Sequence, residues 1–278
     1  MRRTCGSSRI RLGWEWVLAI VAIALALGTV QAKAQQSGVD PPVKQAPVVA
    51  TPPAPILAAD PLRTDWPNLK RFHDEDVALG APAQGERRVV FMGDSITQGW
   101  AHHGVPPEPP DTAQPGPPKD YINRGISGQT TPQMLLRFRQ DVIDLKPKAV
   151  VIFAGINDVA GNTGDMTPEQ TEENLESMAE LAHVNGIRVV FCSILPAFDF
   201  PWKPGREPAP KVIALNRWIK DYAASHGYVY VDFYSAMVDG RGGLPEKLSK
   251  DGVHPNPAGY DIMNPLVDAG IAKALAGS

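Results

Sequence analysis

The stretch that decides the fold is Arg88-Val89-Val90-Phe91-Met92-Gly93-Asp94-Ser95-Ile96-Thr97. Its apolar run is typical of a buried strand, and Gly93 allows the backbone to turn sharply where the run ends. Ser95 is thereby presented at the carboxyl end of a strand, and ligands of open α/β sheets bind in the crevice beyond such ends. We therefore expect the functional site to be built around Ser95.

Apolar runs alternate with helical patterns along the rest of the chain. Five strands are predicted, at residues 89–92, 121–122, 149–154, 187–194 and 228–233. Helices are predicted on the loose apolar face from Trp66 to Leu79, from Thr131 to about Leu145, after the capping box at Thr167, around Val212 to Tyr222, and from Asn256-Pro257 with a kink or break at Pro265. This alternation predicts βαβ units, and hence a three-layer α/β/α domain with a five-stranded parallel sheet.

The amino terminus has the pattern of a secretory signal peptide. Four arginines precede an apolar run at residues 17–30, which is followed by the small-x-small sequence Ala32-Lys33-Ala34. The run is shorter than the ~18 residues of a membrane span, so cleavage after Ala34 is favoured over a retained anchor. The expected organisation is a signal peptide at 1–34, a proline-rich disordered linker at 35–59 and a catalytic domain at 60–278. The protein is then secreted or periplasmic, with no stable membrane insertion of the mature chain.

Charge and cysteine content narrow the classes of function. Cleavage removes five basic residues and one acidic residue, which moves the formal net charge from −3 to −7. An acidic chain without a basic stripe is not expected to bind nucleic acid. Cys192 remains as a lone cysteine at the end of an apolar run and is interpreted as a small buried hydrophobe rather than a reactive thiol.

Polar motifs follow four of the predicted strands. They are Gly93-Asp94-Ser95, residues 123–128 (Asn-Arg-Gly-Ile-Ser-Gly), residues 155–158 (Gly-Ile-Asn-Asp) and, after a longer loop, Asp251-Gly252-Val253-His254. A serine needs a base to become a nucleophile, and histidine is the usual base, with a carboxylate to orient it. Ser95, His254 and Asp251 are the candidates for these roles. The Ser95 N–H, the Gly128 N–H and the Asn157 side-chain amide are suited to stabilise an oxyanion.

The four ordered blocks resemble those of the SGNH, or GDSL, hydrolase family, over residues 88–260. The stretch 125–133 and the loop 195–202 resemble the bacterial branch that is similar to platelet-activating-factor acetylhydrolase. The resemblance implies a flavodoxin-like α/β/α sandwich, a serine esterase activity, a Ser95–His254–Asp251 triad and an oxyanion hole of Ser95, Gly128 and Asn157. No Gly-x-Ser-x-Gly elbow occurs, which argues against an α/β-hydrolase.

Other polar groups near the motifs have structural interpretations. Asp94 is expected to support the nucleophile turn, and Asp158 is expected to cap a helix or hydrogen-bond a loop rather than act as a second acid. The adjacent His102 and His103 are not expected to bind a metal, and the mechanism requires no cofactor.

Two loops are candidates for substrate contact. Residues 101–119 contain seven prolines and are predicted to form one wall of the cleft. Trp100, Phe198 and Trp202 are candidate substrate contacts, although apolar sealing of the sheet is an equally good explanation for the last two.

The sequence thus predicts a secreted ester hydrolase that acts on short acyl groups, with acetate on a small molecule or carbohydrate as the expected ester. The alternatives are a lysophospholipase or thioesterase, a sugar O-acyltransferase on the same site, and an inactive carbohydrate-binding module. The oligomeric state is left open.

Overall fold

The computed structural model describes residues 64–100 and 120–276. The predicted signal peptide, the linker, the first residues of the predicted domain and the proline-rich loop with His102 and His103 lie outside these ranges. In the two described ranges, no helix combines the length and the apolarity needed to cross a bilayer.

The described residues form one five-stranded parallel sheet. The strands are β1 (Val89–Gly93), β2 (Tyr121–Gly125), β3 (Ala149–Phe153), β4 (Arg188–Cys192) and β5 (Val229–Val231). Their spatial order is β2-β1-β3-β4-β5, and all neighbours are parallel. Every residue of the central strands β1 and β3 is buried, as expected for strands covered by helices on both faces.

Helices precede, connect and follow the strands. They are α1 (His73–Leu79), α2 (Ser95–Gln98), α3 (Thr131–Phe138), α4 (Ile156–Ala160), α5 (Pro168–Val184), α6 (Pro208–His226), α7 (Phe233–Met237) and α8 (Pro257–Ala276), with a π-helical turn (Arg139–Ile143) after α3. The predicted capping box is present at α5. The Thr167 hydroxyl accepts from the Gln170 N–H at 3.3 Å, and the Gln170 side chain accepts from the Thr167 N–H at 2.9 Å.

The two faces of the sheet are covered by different helices, because successive side chains of a strand point to opposite faces. On β4, Val190 lies against Gly270 of α8. The next residue, Phe191, meets Tyr222 of α6, with ring centroids 6.1 Å apart. The predicted α/β/α sandwich with a five-stranded parallel sheet is therefore confirmed.

One helical segment differs from the prediction, and a second excludes one of two predicted alternatives. The apolar positions from Trp66 to Leu79 do not form one helix, since residues 66–72 form turns held by Asp65, whose carboxylate accepts from the Leu69 and Lys70 N–H groups. Of the two alternatives predicted at Pro265, a kink or a break, the break is absent, since helix α8 continues through this residue. A proline interrupts only one turn of backbone hydrogen bonding, and packing of the buried residues on both sides of Pro265 holds the helix together.

Candidate active site

The turn after β1 brings Ser95 to the carboxyl edge of the sheet. A Cβ atom at Gly93 would lie 2.0 Å from the Thr97 hydroxyl and 2.8 Å from the Phe153 carbonyl oxygen, so only glycine allows this approach to β3. Asp94 caps α2 through its carboxylate, which accepts from the Ile96 N–H at 2.9 Å. The predicted supporting role of Asp94 is confirmed, and Ser95 becomes the first residue of α2.

Three side chains that are far apart in sequence form one hydrogen-bonded chain. Ser95 Oγ lies 2.9 Å from His254 Nε2, and His254 Nδ1 lies 2.6 Å from Asp251 Oδ2. Because a carboxylate only accepts hydrogen bonds, the proton between His254 and Asp251 sits on Nδ1, and Nε2 is left to accept from the serine hydroxyl. The structure thus brings together the predicted nucleophile, base and acid.

The loop around Asp251 stabilises its ionised form. The Asp251 Oδ1 atom accepts from the backbone N–H groups of Val253 and His254 at 2.9 and 2.8 Å, and from the Ser249 hydroxyl at 3.0 Å. Burial by itself would raise the pKa of Asp251, but the hydrogen bonds from His254 and Val253 outweigh it and lower the pKa to about 2. The carboxylate therefore remains charged beside the imidazole at neutral pH.

The predicted oxyanion groups follow β2 and β3. Gly128 has a φ of +78°, in the left-handed region that side-chain-bearing residues rarely adopt, and a Cβ atom there would meet nothing within 4 Å. The Asn157 Oδ1 atom accepts from Asn162 Nδ2 at 2.8 Å, which assigns the donor end of the Asn157 amide. Asn157 Nδ2 donates one of its two N–H groups to the Gln129 carbonyl at 3.0 Å. Asn157 thus has a second N–H for another acceptor.

A buried arginine joins the nucleophile strand to the oxyanion loop. Arg137 is fully buried in α3 and donates to the Gly93 carbonyl at 3.0 Å and to the Gln129 side chain at 2.6 Å. Its third partner is Asp141, at 2.8 Å. Burial lowers the pKa of Arg137, and the Asp141 carboxylate opposes that effect. Sequence reasoning missed this residue, although the four-residue spacing of Arg137 and Asp141 on a helix is a signal for such a pair.

Asp158 has the structural role that the sequence predicts. Its carboxylate accepts from the Thr131 N–H at 3.1 Å and from the Thr131 hydroxyl at 2.5 Å, and so caps α3. Burial raises the pKa of Asp158 to about 6, against the opposing effect of these hydrogen bonds. Asp158 therefore fixes the helix that carries Arg137.

The three aromatic candidates have different positions. Trp100 is 1% exposed, packs edge-on against Phe91 and Phe233 with centroids 5.8 Å away, and donates from Nε1 to Asn264 at 2.7 Å. The prediction that Trp100 contacts substrate is corrected, because the core leaves its ring no surface for a ligand. Phe198, in contrast, is 55% exposed.

Trp202 lies directly beside the candidate base. Trp202 is 42% exposed, and its ring centroid is 6.0 Å from that of His254. The indole Nε1 donates to Asn162 Oδ1 at 3.1 Å, and Asn162 also holds Asn157. Trp202 is therefore linked both to the base and to the oxyanion asparagine.

The lone cysteine and the potential metal-ligating residues are the remaining candidates from the sequence. Cys192 is buried, which raises the pKa of its thiol and confirms its interpretation as a core residue. Within residues 64–100 and 120–276, no group of three His, Cys, Asp or Glu residues is placed to hold a metal ion.

Comparison with known proteins gives a consistent picture. An acylhydrolase from Bacteroides fragilis NCTC 9343, known from its crystal structure, is 45% identical, with a TM-score of 0.69 over 76% of this chain and 99% of that chain. The lipoprotein YqeF of Bacillus subtilis is 34% identical over 133 residues, or 44% of this chain and 54% of that protein. An acetylxylan esterase of Xylanibacter ruminicola is 25% identical over 226 residues, or 70% of this chain and 45% of that protein. The chain spans about half the length of these two curated relatives.

The family model described as GDSL-like Lipase/Acylhydrolase matches residues 91–262. This range covers more than half of the chain and includes all four motif blocks, which confirms the resemblance found in the sequence. The chain belongs to the GDSL-like lipase/acylhydrolase family of ester hydrolases.

Proposed function

We propose that the protein hydrolyses short-chain acyl esters, acetyl esters in particular, through a Ser95–His254–Asp251 triad. The observation that carries the proposal is the unbroken hydrogen-bonded chain from Ser95 Oγ to His254 and on to Asp251, with contacts of 2.9 and 2.6 Å. This is the arrangement by which a serine hydroxyl is activated at neutral pH.

In the first half of the reaction, Ser95 Oγ attacks the ester carbonyl carbon and His254 Nε2 takes the hydroxyl proton. The carbonyl π electrons move to oxygen, and the resulting oxyanion accepts from the Ser95 N–H, the Gly128 N–H and Asn157 Nδ2. The carbonyl re-forms as the bond to the leaving alcohol breaks. His254 returns the proton to that alcohol, and an acyl-Ser95 ester remains.

In the second half, water replaces the alcohol and the same groups act again. A water molecule attacks the acyl carbon while His254 takes one of its protons. His254 then protonates Ser95 Oγ as the carboxylic acid product leaves. Asp251 holds Nδ1 and stabilises the imidazolium that forms in both halves. The cycle needs no cofactor.

The acyl group and the compartment are part of the same proposal. A relative named acetylxylan esterase supports acetate as the acyl group. Export is supported by the arginine-rich and apolar amino-terminal pattern, with cleavage expected after Ala34, and by a relative named as a lipoprotein.

The test is hydrolysis of p-nitrophenyl acetate, butyrate, decanoate and palmitate by the purified protein and by Ser95→Ala. We expect the highest kcat/KM for acetate, and a loss of about 10⁶-fold in kcat for the variant. Ser177→Ala, an exchange of a serine on α5 whose hydroxyl donates only to the Glu173 carbonyl, is the matched control and should retain wild-type rates.

Two results would count against the proposal. Equal activity of wild type and Ser95→Ala would remove Ser95 as the nucleophile. A preference for palmitate over acetate would favour a lysophospholipase or thioesterase instead.

A further inference from the structure

A second feature of the molecule adjoins the oxyanion loop. A groove of about 770 Å³ lies between the amino-terminal segment of the described chain and the loop that carries Gly128. Trp66, Asn68 and Lys70 line one side, and Ser127, Gly128 and Asn162 line the other. The volume is within the range of small-ligand sites, and the groove shares Gly128 with the candidate oxyanion hole.

The wall made by residues 66–69 is docked onto the oxyanion side by three glutamine amides. Gln133 Nε2 donates to the Trp66 carbonyl at 2.8 Å, Gln129 Nε2 to the Pro67 carbonyl at 2.8 Å, and Gln140 Nε2 to the Leu69 carbonyl at 2.6 Å. These bonds satisfy three of the four backbone carbonyls of residues 66–69, and the fourth, that of Asn68, accepts from the Arg71 N–H within the turn. The groove is therefore preformed rather than assembled by the ligand.

Two of these glutamines are also bound to the site itself. Gln129 accepts from Arg137, which holds Gly93, and its backbone carbonyl accepts from Asn157. Gln133 closes the capping box at Thr130. The position of the groove wall is consequently fixed relative to the oxyanion groups.

The residue types in the groove select the class of ligand. The lining contains nine side chains that can form hydrogen bonds, one indole and one aliphatic side chain, Ile126, which is itself buried. A fatty acyl chain requires a continuous aliphatic surface, which these residues do not provide. A carbohydrate presents hydroxyl groups at its edges and C–H groups on its ring faces, and so matches amides and hydroxyls arranged around an aromatic ring.

From this placement we propose that the groove is a subsite for the alcohol portion of the ester, and that this portion is an oligosaccharide. Trp66 stacks on a sugar ring one or more residues away from the acetylated one, while Asn68, Lys70 and Ser127 bind its hydroxyl groups. The acetylated sugar itself lies near Gly128 and Asn162, with its acetyl carbonyl at the oxyanion groups. The inference rests on the proposed esterase function and adds its substrate class.

The test compares two acetyl esters with the same acyl group. Partially acetylated xylotetraose has further sugar rings that can occupy the groove, whereas p-nitrophenyl acetate has no sugar for Trp66 to stack on. We expect Trp66→Ala to raise KM for the oligosaccharide about tenfold or more, the effect of losing one aromatic anchor, and to leave both constants for p-nitrophenyl acetate unchanged. Trp66→Phe should restore most of the affinity.

Two further variants make the result specific. Trp218→Ala removes a tryptophan that stacks on Tyr222 of α6, outside the groove. It should leave kcat and KM unchanged for both substrates. Lys70→Ala alters an exposed groove residue without removing a packed ring, so its expected rise of about threefold in the oligosaccharide KM remains measurable even if Trp66→Ala unfolds.

The subsite proposal is wrong if Trp66→Ala and Lys70→Ala leave the KM for the oligosaccharide unchanged. It is also wrong if they raise the KM for both substrates by the same factor. Failure of the esterase proposal is a different result, in which the wild-type protein hydrolyses neither acetyl ester. The two failures are therefore separable.

Discussion

The turn that carries Ser95 and the loop that carries His254 are joined by one hydrogen bond between these two side chains. They differ in whether the hydrogen bonds that stabilise them come from distant or from neighbouring residues. The turn is fixed by groups that are distant in the sequence. Its backbone carbonyls accept from Arg137 at Gly93, from Asn123 at Thr97 and from Tyr260 at Ile96, at 3.0, 2.6 and 2.8 Å.

The loop at the base, in contrast, is held by its own residues. Every hydrogen bond to the Asp251 carboxylate comes from residues 249–254, and a short bridge between Ser249 and Pro255 closes the loop. The side chains of Asp251 and His254 are 40% and 39% exposed. Changes at the base should therefore affect catalysis with little effect on the fold, whereas changes around the nucleophile should affect both.

The largest effect is expected for His254→Ala. Since members of a triad act as a unit, the variant should lose about as much kcat as Ser95→Ala, on the order of 10⁶-fold, and the double variant should lose no more. Its melting temperature should stay close to that of wild type, because the side chain is exposed. The measurements are kcat on p-nitrophenyl acetate and thermal unfolding, and retention of most of the rate would exclude His254 as the base.

An intermediate effect on stability is expected for Arg137→Met. The exchange leaves Asp141 buried without its ion-pair partner, which costs about 3–5 kcal/mol in the free energy of unfolding. Urea unfolding measures the loss. The double variant Arg137→Met, Asp141→Leu removes the unpaired charge as well and should recover part of it. If Arg137→Met is as stable as wild type, the contrast between the two regions fails.

The smallest expected effect is on the pH dependence of the free energy of unfolding, to which Asp94 and Asp251 contribute with opposite signs. Burial raises the pKa of Asp94 to about 7, so the folded protein holds a proton that the unfolded chain has released between pH 4 and 7. The free energy of unfolding then falls as the pH rises through that window. Asp94→Asn removes this dependence, and its stability relative to wild type should rise by about 2–4 kcal/mol from pH 4 to pH 7.

Asp251→Asn is the matched control with the opposite sign. The pKa of Asp251 is lowered to about 2 in the folded state, so its contribution is present above pH 4 and is lost as the pH falls towards 2. The effect should stay below about 1 kcal/mol, because the side chain is partly exposed and its interactions are screened. Urea unfolding of wild type and both variants at pH 2, 4 and 7 measures the two trends. Parallel curves for wild type and Asp94→Asn would contradict the buried environment of Asp94.

Much of the fold and the candidate site follows from local patterns in the sequence. Apolar runs locate the strands because a buried strand needs continuous apolar side chains. The motifs at 93–95, 123–128, 155–158 and 251–254 converge because the carboxyl ends of parallel strands meet at one edge of the sheet. Sequence reasoning therefore predicts the sandwich and identifies Ser95, Asp251 and His254 together.

The structure alone decided how distant side chains pair across the core. Trp100 carries the same aromatic signal as Trp202, but one lies within the core and the other beside His254. The bonds from Arg137 to Gly93 and from two glutamines to the groove wall at residues 66–69 give no comparable local pattern, because each joins residues that are 44 or more positions apart. Periodicity and capping act over a few residues and are legible in the sequence, whereas such long-range partners are chosen only when the helices pack against the sheet.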